Sequence, residues 1–171
     1  MATSRKKYIV IAAVIVLLGC FLVGRRDLGP HFNEIPGHVN NFTAINVDGG
    51  KTTFQEQKGK VTLITLSASW CPACMAEIPS LKKMHQELGS RGFKILMVSE
   101  DDNVKAAARF KKKQNLPWTV VHWNYDLMNT LGNPGVLPVS YLINEQDSIV
   151  QINTGIFDED AMRRAIKKLL H

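Results

Sequence analysis

Cysteine is scarce in this chain of 171 residues: only Cys20, Cys71 and Cys74 occur. A structural zinc site needs about four ligands, so one built on Cys71 and Cys74 would have to recruit histidines. Covalent haem attachment wants a histidine directly after the second cysteine, and Met75 stands there. A disulfide across two intervening residues closes too small a loop to stabilise a fold much, which weakens a purely structural role for the pair. No internal repeat or low-complexity tract interrupts the sequence, so repeat architectures are excluded. With 45% hydrophobic and 21% charged residues, disorder is excluded too. The length suits one globular domain with a real core plus a small extra segment.

Surplus basic charge is also thin where it would matter. The formal net charge is +6, but residues 1–37 hold five basic and two acidic residues, which leaves sixteen against thirteen for the rest. The densest basic run, Arg109 with Lys111, Lys112 and Lys113, falls in a helical stretch and reads as a solvated face rather than a phosphate-binding patch. No nucleic-acid partner is expected.

Between Tyr8 and Gly24 charge is missing altogether. These seventeen residues follow Arg5, Lys6 and Lys7 and precede Arg25 and Arg26; at 1.5 Å per helical residue they span about 25 Å, the short end of a bilayer crossing. Residues 1–24 are expected to be a membrane anchor and residues 25–37, rich in glycine, proline and polar residues, a linker. A cleaved signal peptide would need a small-x-small site before a polar start, and none is present. A lipoprotein signal would use Leu17-Leu18-Gly19-Cys20 with Cys20 lipidated, yet Phe21, Leu22 and Val23 prolong the apolar run. The charge bias across the span places the N-terminus inside and the domain outside the cytoplasmic membrane.

From residue 38 to 171 the pattern becomes regular. "FTAINV" and "KTTF" flank Asp48-Gly49-Gly50, a hairpin signal. Val61 to Leu66 is a buried strand leading into the cysteines. Ala73 to Leu88 reads as a helix with Ile78, Leu81, Met84 and Leu88 on one side and Gly89 as its stop. "FKILMVSE" is a second buried strand, 102–114 a second helix, "WTVVHW" a third strand and 126–131 a short helix. "VSYLIN" and "SIVQIN" form a strand pair, and 158–170 closes the chain as a helix. Strands alternating with helices and ending in a hairpin argue for an α/β sandwich around a mixed sheet.

Placement distinguishes the uses of Cys71 and Cys74. Cys71 falls where a buried strand gives way to a helix, so its sulfur faces unpaired N–H groups and the positive end of the helix dipole, which favours the thiolate. Cys74, one turn on, can reach it to form a disulfide while being more shielded. That suits a nucleophile and a resolver.

"SASWCPACMAEIPSL" followed by "PGVLPVSYLIN" resembles the membrane-tethered thioredoxin-like proteins of the TlpA, ResA and DsbE (CcmG) group over residues 38–171. The resemblance implies a thioredoxin fold with an added N-terminal β-hairpin and extracytoplasmic thiol-disulfide exchange. It makes Cys71 the attacking and Cys74 the resolving cysteine, sets Trp70 beside the exposed sulfur, and matches Pro138 to a cis-proline facing the disulfide, with the backbone of Leu137 free to pair with substrate. Glu77 stands where ResA-like proteins carry a glutamate near the cysteines. Thr65 replaces the buried aspartate of ordinary thioredoxins, which leaves Glu77 to manage the proton. Pro79 would kink the active-site helix. Val139-Ser140 and Leu66-Ser67 depart from the group's usual residues, which bears on partner choice rather than thiol chemistry.

The activity so implied is disulfide reduction, with apocytochrome c cysteines as targets within the family, a membrane thiol carrier as electron source, no cofactor beyond the cysteine pair, no metal, and a monomer. Pro72-Ala73 adds no donor between the cysteines, which favours a reductant over a strong oxidant. Two alternatives stay open. A copper-delivery protein of the same fold would use the cysteines with His122, although such proteins usually space their cysteines by three residues. A thiol peroxidase would need a threonine-to-cysteine pattern that is absent ahead of Cys71. Met75, Met84, Met97 and Met128 read as core filler rather than copper ligands.

Overall fold

A computed structural model describes residues 37–171. The expected anchor, and all of the linker but Gly37, lie outside the described residues. Among the described residues no helix is long and apolar enough to cross a membrane.

The elements follow in order: β1 (Thr43–Asn46), β2 (Lys51–Thr53), α1 (Phe54–Gln57), β3 (Val61–Ser67), α2 (Pro72–Leu88), β4 (Phe93–Ser99), α3 (Val104–Gln114), β5 (Thr119–His122), α4 (Tyr125–Leu131), β6 (Val139–Ile143), β7 (Ile149–Thr154) and α5 (Glu159–Leu169). The strands make one mixed seven-stranded sheet in the order β2-β1-β5-β4-β3-β6-β7. β3, β4 and β5 run parallel because helices connect them, whereas β6 pairs antiparallel with both β3 and β7. The β1–β2 hairpin joins the sheet through β5, and its turn depends on Gly49 and Gly50 at φ of 120° and 77°, a region that side chains with a Cβ avoid. This is a thioredoxin-like α/β fold with the expected N-terminal hairpin.

All seven residues of β3 are buried, as a central strand covered on both faces should be. Its alternation feeds two cores. Val61 and Leu63, with Phe93, Ile95 and Met97 of β4, meet Ile78, Leu81, Met84 and Leu88 of α2, Phe110 of α3 and Met162 and Ile166 of α5. Ile64 and Leu66, with Leu96 and Val98, meet Phe42, Phe54, Leu127, Leu131 and Tyr141 on the other face. Met84 and Met97 are therefore core residues, as expected.

Helix starts follow local chemistry. Asn103, Asn124 and Asp158 cap α3, α4 and α5 by accepting the N–H three residues on, the usual N-cap bond. The second helix accordingly begins two residues later than expected. α1 joins no periodic pattern; it is one turn held by a capping box between Thr53 and Glu56. α2 ends at Leu88 with Gly89 as its C-cap, as expected. Gly89 keeps a right-handed φ of −59° and the chain passes into a 3₁₀ turn over Gly89–Arg91, broken by Gly92 at φ 104°.

Candidate active site

β3 ends at Ser67, and the loop Ala68–Trp70 delivers Cys71 as the N-cap of α2. The Cys71 sulfur accepts the N–H of Cys74 at 3.1 Å, and Pro72, which has no N–H to satisfy, opens the helix. Cys71 and Cys74 form a disulfide with a Cα–Cα separation of 5.3 Å. They pack on Ala68, with Ala73, Met75 and Leu137 against them. Both are buried, but only Cys71 lines an open groove of about 380 Å³, together with Trp70, Glu100, Val136 and Leu137.

The sequence-based candidates divide by environment. Trp70 is 63% exposed, so it is not a core aromatic; it walls the groove beside Cys71. The Leu137–Pro138 bond is cis. Leu137 touches the cysteine cluster, and the β6–β7 pairing starts only at Val139. Glu77 is 2% exposed, on the same helix face as Cys74 one turn on. Its Oε1 accepts the N–H of Phe157 at 3.0 Å. Burial raises the Glu77 carboxyl to about pKa 7, the Phe157 bond opposing the shift: desolvation penalises the charged form more than one amide bond repays. Thr65 is buried in β3 opposite Ser140 of β6.

One residue escaped sequence reasoning. Asp101, 4% exposed, receives the Ser69 N–H at 3.0 Å, the Ser69 hydroxyl at 2.5 Å and the Ser99 hydroxyl at 2.7 Å. It thereby ties the end of β4 to the loop that carries Trp70 and Cys71. His122, the distal residue of the copper alternative, has its Nε2 bonded to the Asp101 carbonyl oxygen at 2.8 Å. Among the described residues no group of three or more His, Cys, Asp or Glu side chains is arranged to hold a metal ion. The signal for Asp101 is the acidic run Glu100-Asp101-Asp102 directly after the buried strand that ends at Ser99.

A cysteine pair joined at the start of a helix, packed against the Leu137 that precedes a cis-proline and carried by this mixed sheet, defines a thiol-disulfide exchange protein of the thioredoxin-like class. The chain belongs to the Redoxin family, whose sequence profile matches residues 30–170. It is similar to the thiol-disulfide oxidoreductase ResA of Bacillus thuringiensis subsp. konkukian, 23% identical over 171 residues, covering 96% of this chain and 98% of the relative. ResA of Bacillus subtilis is 24% identical over 119 residues, 70% of this chain and 66% of that protein. A crystal structure of a thiol:disulfide interchange protein from Chlorobium tepidum superimposes with a TM-score of 0.71 at 23% identity, over 80% of this chain and 97% of that one. The chain is a TlpA/ResA/DsbE-like thiol-disulfide oxidoreductase.

Proposed function

We propose that the chain is a reductase of protein disulfides, working on the outer side of the cytoplasmic membrane to which residues 1–24 tether it. The observation that carries this reading is the asymmetry of the pair: the Cys71 sulfur caps a helix and lines an open groove, while Cys74 sits behind it. In the reduced protein the Cys71 thiolate attacks one sulfur of a substrate disulfide. A mixed disulfide forms, and the other substrate sulfur leaves as a thiolate that takes up a proton. Cys74 then loses its proton to the Glu77 carboxylate and attacks the Cys71 sulfur. The second substrate thiol is released, and the Cys71–Cys74 disulfide carries the two-electron oxidation. A membrane thiol carrier restores the dithiol, and the cysteine pair needs no other cofactor.

Trp70 and the free backbone of Leu137 would seat an extended substrate segment beside Cys71, as a strand adds to a sheet edge. The resemblance to ResA-like proteins supports apocytochrome c cysteines as targets and a monomeric working form. The proposal is tested by trapping. Reduced Cys74→Ala protein, mixed with a disulfide-bonded peptide carrying two cysteines separated by two residues, should accumulate a covalent adduct on Cys71. An adduct absent from Cys74→Ala but abundant on Cys71→Ala would reverse the roles and overturn the reading.

A further inference from the structure

Apolar side chains make up most of the lining of the groove over Cys71, with Trp70 and Val136 strongly exposed at its walls. Glu100 is its one charged lining residue. It follows β4 directly, and its N–H donates to the Ser67 carbonyl at 2.9 Å, so its backbone is tied to the strand that delivers Cys71. The side chain is half-buried, and burial raises its pKa. The neighbouring acid, Asp101, is fully engaged with Ser69 and Ser99. Among the described residues, by contrast, no hydrogen bond or ion pair engages the Glu100 carboxylate. A partly desolvated, unpaired carboxylate in an open groove attracts a cation more strongly than one fully in water, because the local dielectric is lower.

We infer that Glu100 is a specificity-determining residue that selects disulfides flanked by lysine or arginine. This rests on the reading that Cys71 attacks substrate within this groove. A lysine or arginine side chain suits both halves of the site: its aliphatic stem covers apolar wall, its head can lie on an indole face, and its charge meets the carboxylate. An acidic residue in the same place meets like charge and is rejected.

The test compares three disulfide-bonded peptides identical but for Lys, Gln or Glu beside the attacked cysteine, with kcat/KM measured for the parent protein, Glu100→Gln and Glu100→Lys. The parent should prefer the Lys peptide over the Glu peptide by about fivefold, the size of a partly exposed ion pair of ~1 kcal/mol. Salt should compress that preference, Glu100→Gln should abolish it and Glu100→Lys should invert it. A parent that treats the three peptides alike, or a ranking that survives in Glu100→Gln, overturns the assignment of Glu100 while leaving the reductase reading standing. Failure of the parent to reduce any of the peptides would instead remove the reductase reading, and the specificity with it.

Discussion

At the scale of single residues, two buried carboxyl groups differ in how many donors they meet. Asp101 is surrounded by donors, which replace the water it has lost. Glu77 has one amide donor and is held near pKa 7 by burial. Its folded-state pKa lies above the ordinary carboxylate value, so its contribution to stability is complete below about pH 4.5 and is lost as pH rises toward 7. Glu77→Gln, which keeps an acceptor for the Phe157 N–H, should flatten the stability of the oxidised protein between pH 4.5 and 7, measured as urea midpoints. It should also remove an inflection near pH 7 from the rate of mixed-disulfide resolution. An unchanged rate profile would leave Glu77 as a staple between α2 and the segment before α5. For Cys71 the expectation is a thiol pKa below the free value of about 8.5, because its sulfur caps α2; alkylation rate against pH on Cys74→Ala reads it directly. Asp101→Ala should cost about 3 kcal/mol, since it leaves two hydroxyls and an amide without an acceptor. It should also alter the Trp70 fluorescence, because Ser69 would no longer be held, and Asp101→Asn should restore part of both.

Among the elements, long periodic segments were legible and short or long-range features were not. Buried runs such as "VTLITLS" and the spacing of Ile78, Leu81, Met84 and Leu88 announce β3 and α2, because burial on one or both faces imposes those patterns. α1 was hidden, since four residues cannot display a helical period. Gly89 marks the end of α2 as glycine commonly does, but the left-handed residue that turns the chain is Gly92, three positions later, which no period in the sequence announces. In the site, Cys71, Cys74 and Pro138 carried their chemistry in the sequence. Trp70 could not be assigned to core or surface from its type alone. For Asp101 the acidic run after β4 is a signal, but its role is not readable from it because its main partner, Ser69, is 32 residues away. The join between β3 and β4 yields an element-scale prediction. A Cβ on Gly59 would stand 2.3 Å from the Gly92 carbonyl oxygen, which already accepts the Val61 N–H at 3.3 Å. Backbone there cannot move without opening the start of the parallel pair. Gly59→Ala should therefore destabilise the fold by about 2 kcal/mol or more, read as a lower urea midpoint with the exchange chemistry of the surviving folded protein intact.

For the molecule as a whole, charge and redox chemistry bear on the same question, the side of the membrane on which the domain works. Arg5, Lys6 and Lys7 precede the uncharged stretch Tyr8–Gly24, whereas Arg25 and Arg26 follow it with Asp27 beside them; basic residues stay on the cytoplasmic side of a span. A difference of about two charges is a modest bias. The proposed substrates add a second: protein disulfides that persist long enough to need a dedicated reductase are found mainly in oxidising compartments outside the cytoplasm. Both considerations support the proposed topology, in which His171 lies outside. A reporter active only in the cytoplasm, fused after His171, should be silent, and one that needs export should be active. Moving Arg5, Lys6 and Lys7 to positions after Gly24 should invert the pair of readouts. The anchor itself is tested by fractionation: removal of residues 1–24 behind a cleavable export signal should release an active domain from the membrane, and Cys20→Ser in the full chain should leave it membrane-bound, whereas release by Cys20→Ser would make a lipid on Cys20 the tether. Cytoplasmic activity of the His171 fusion in the unaltered chain would contradict the topology and, with it, the expectation that the substrates are extracytoplasmic disulfides.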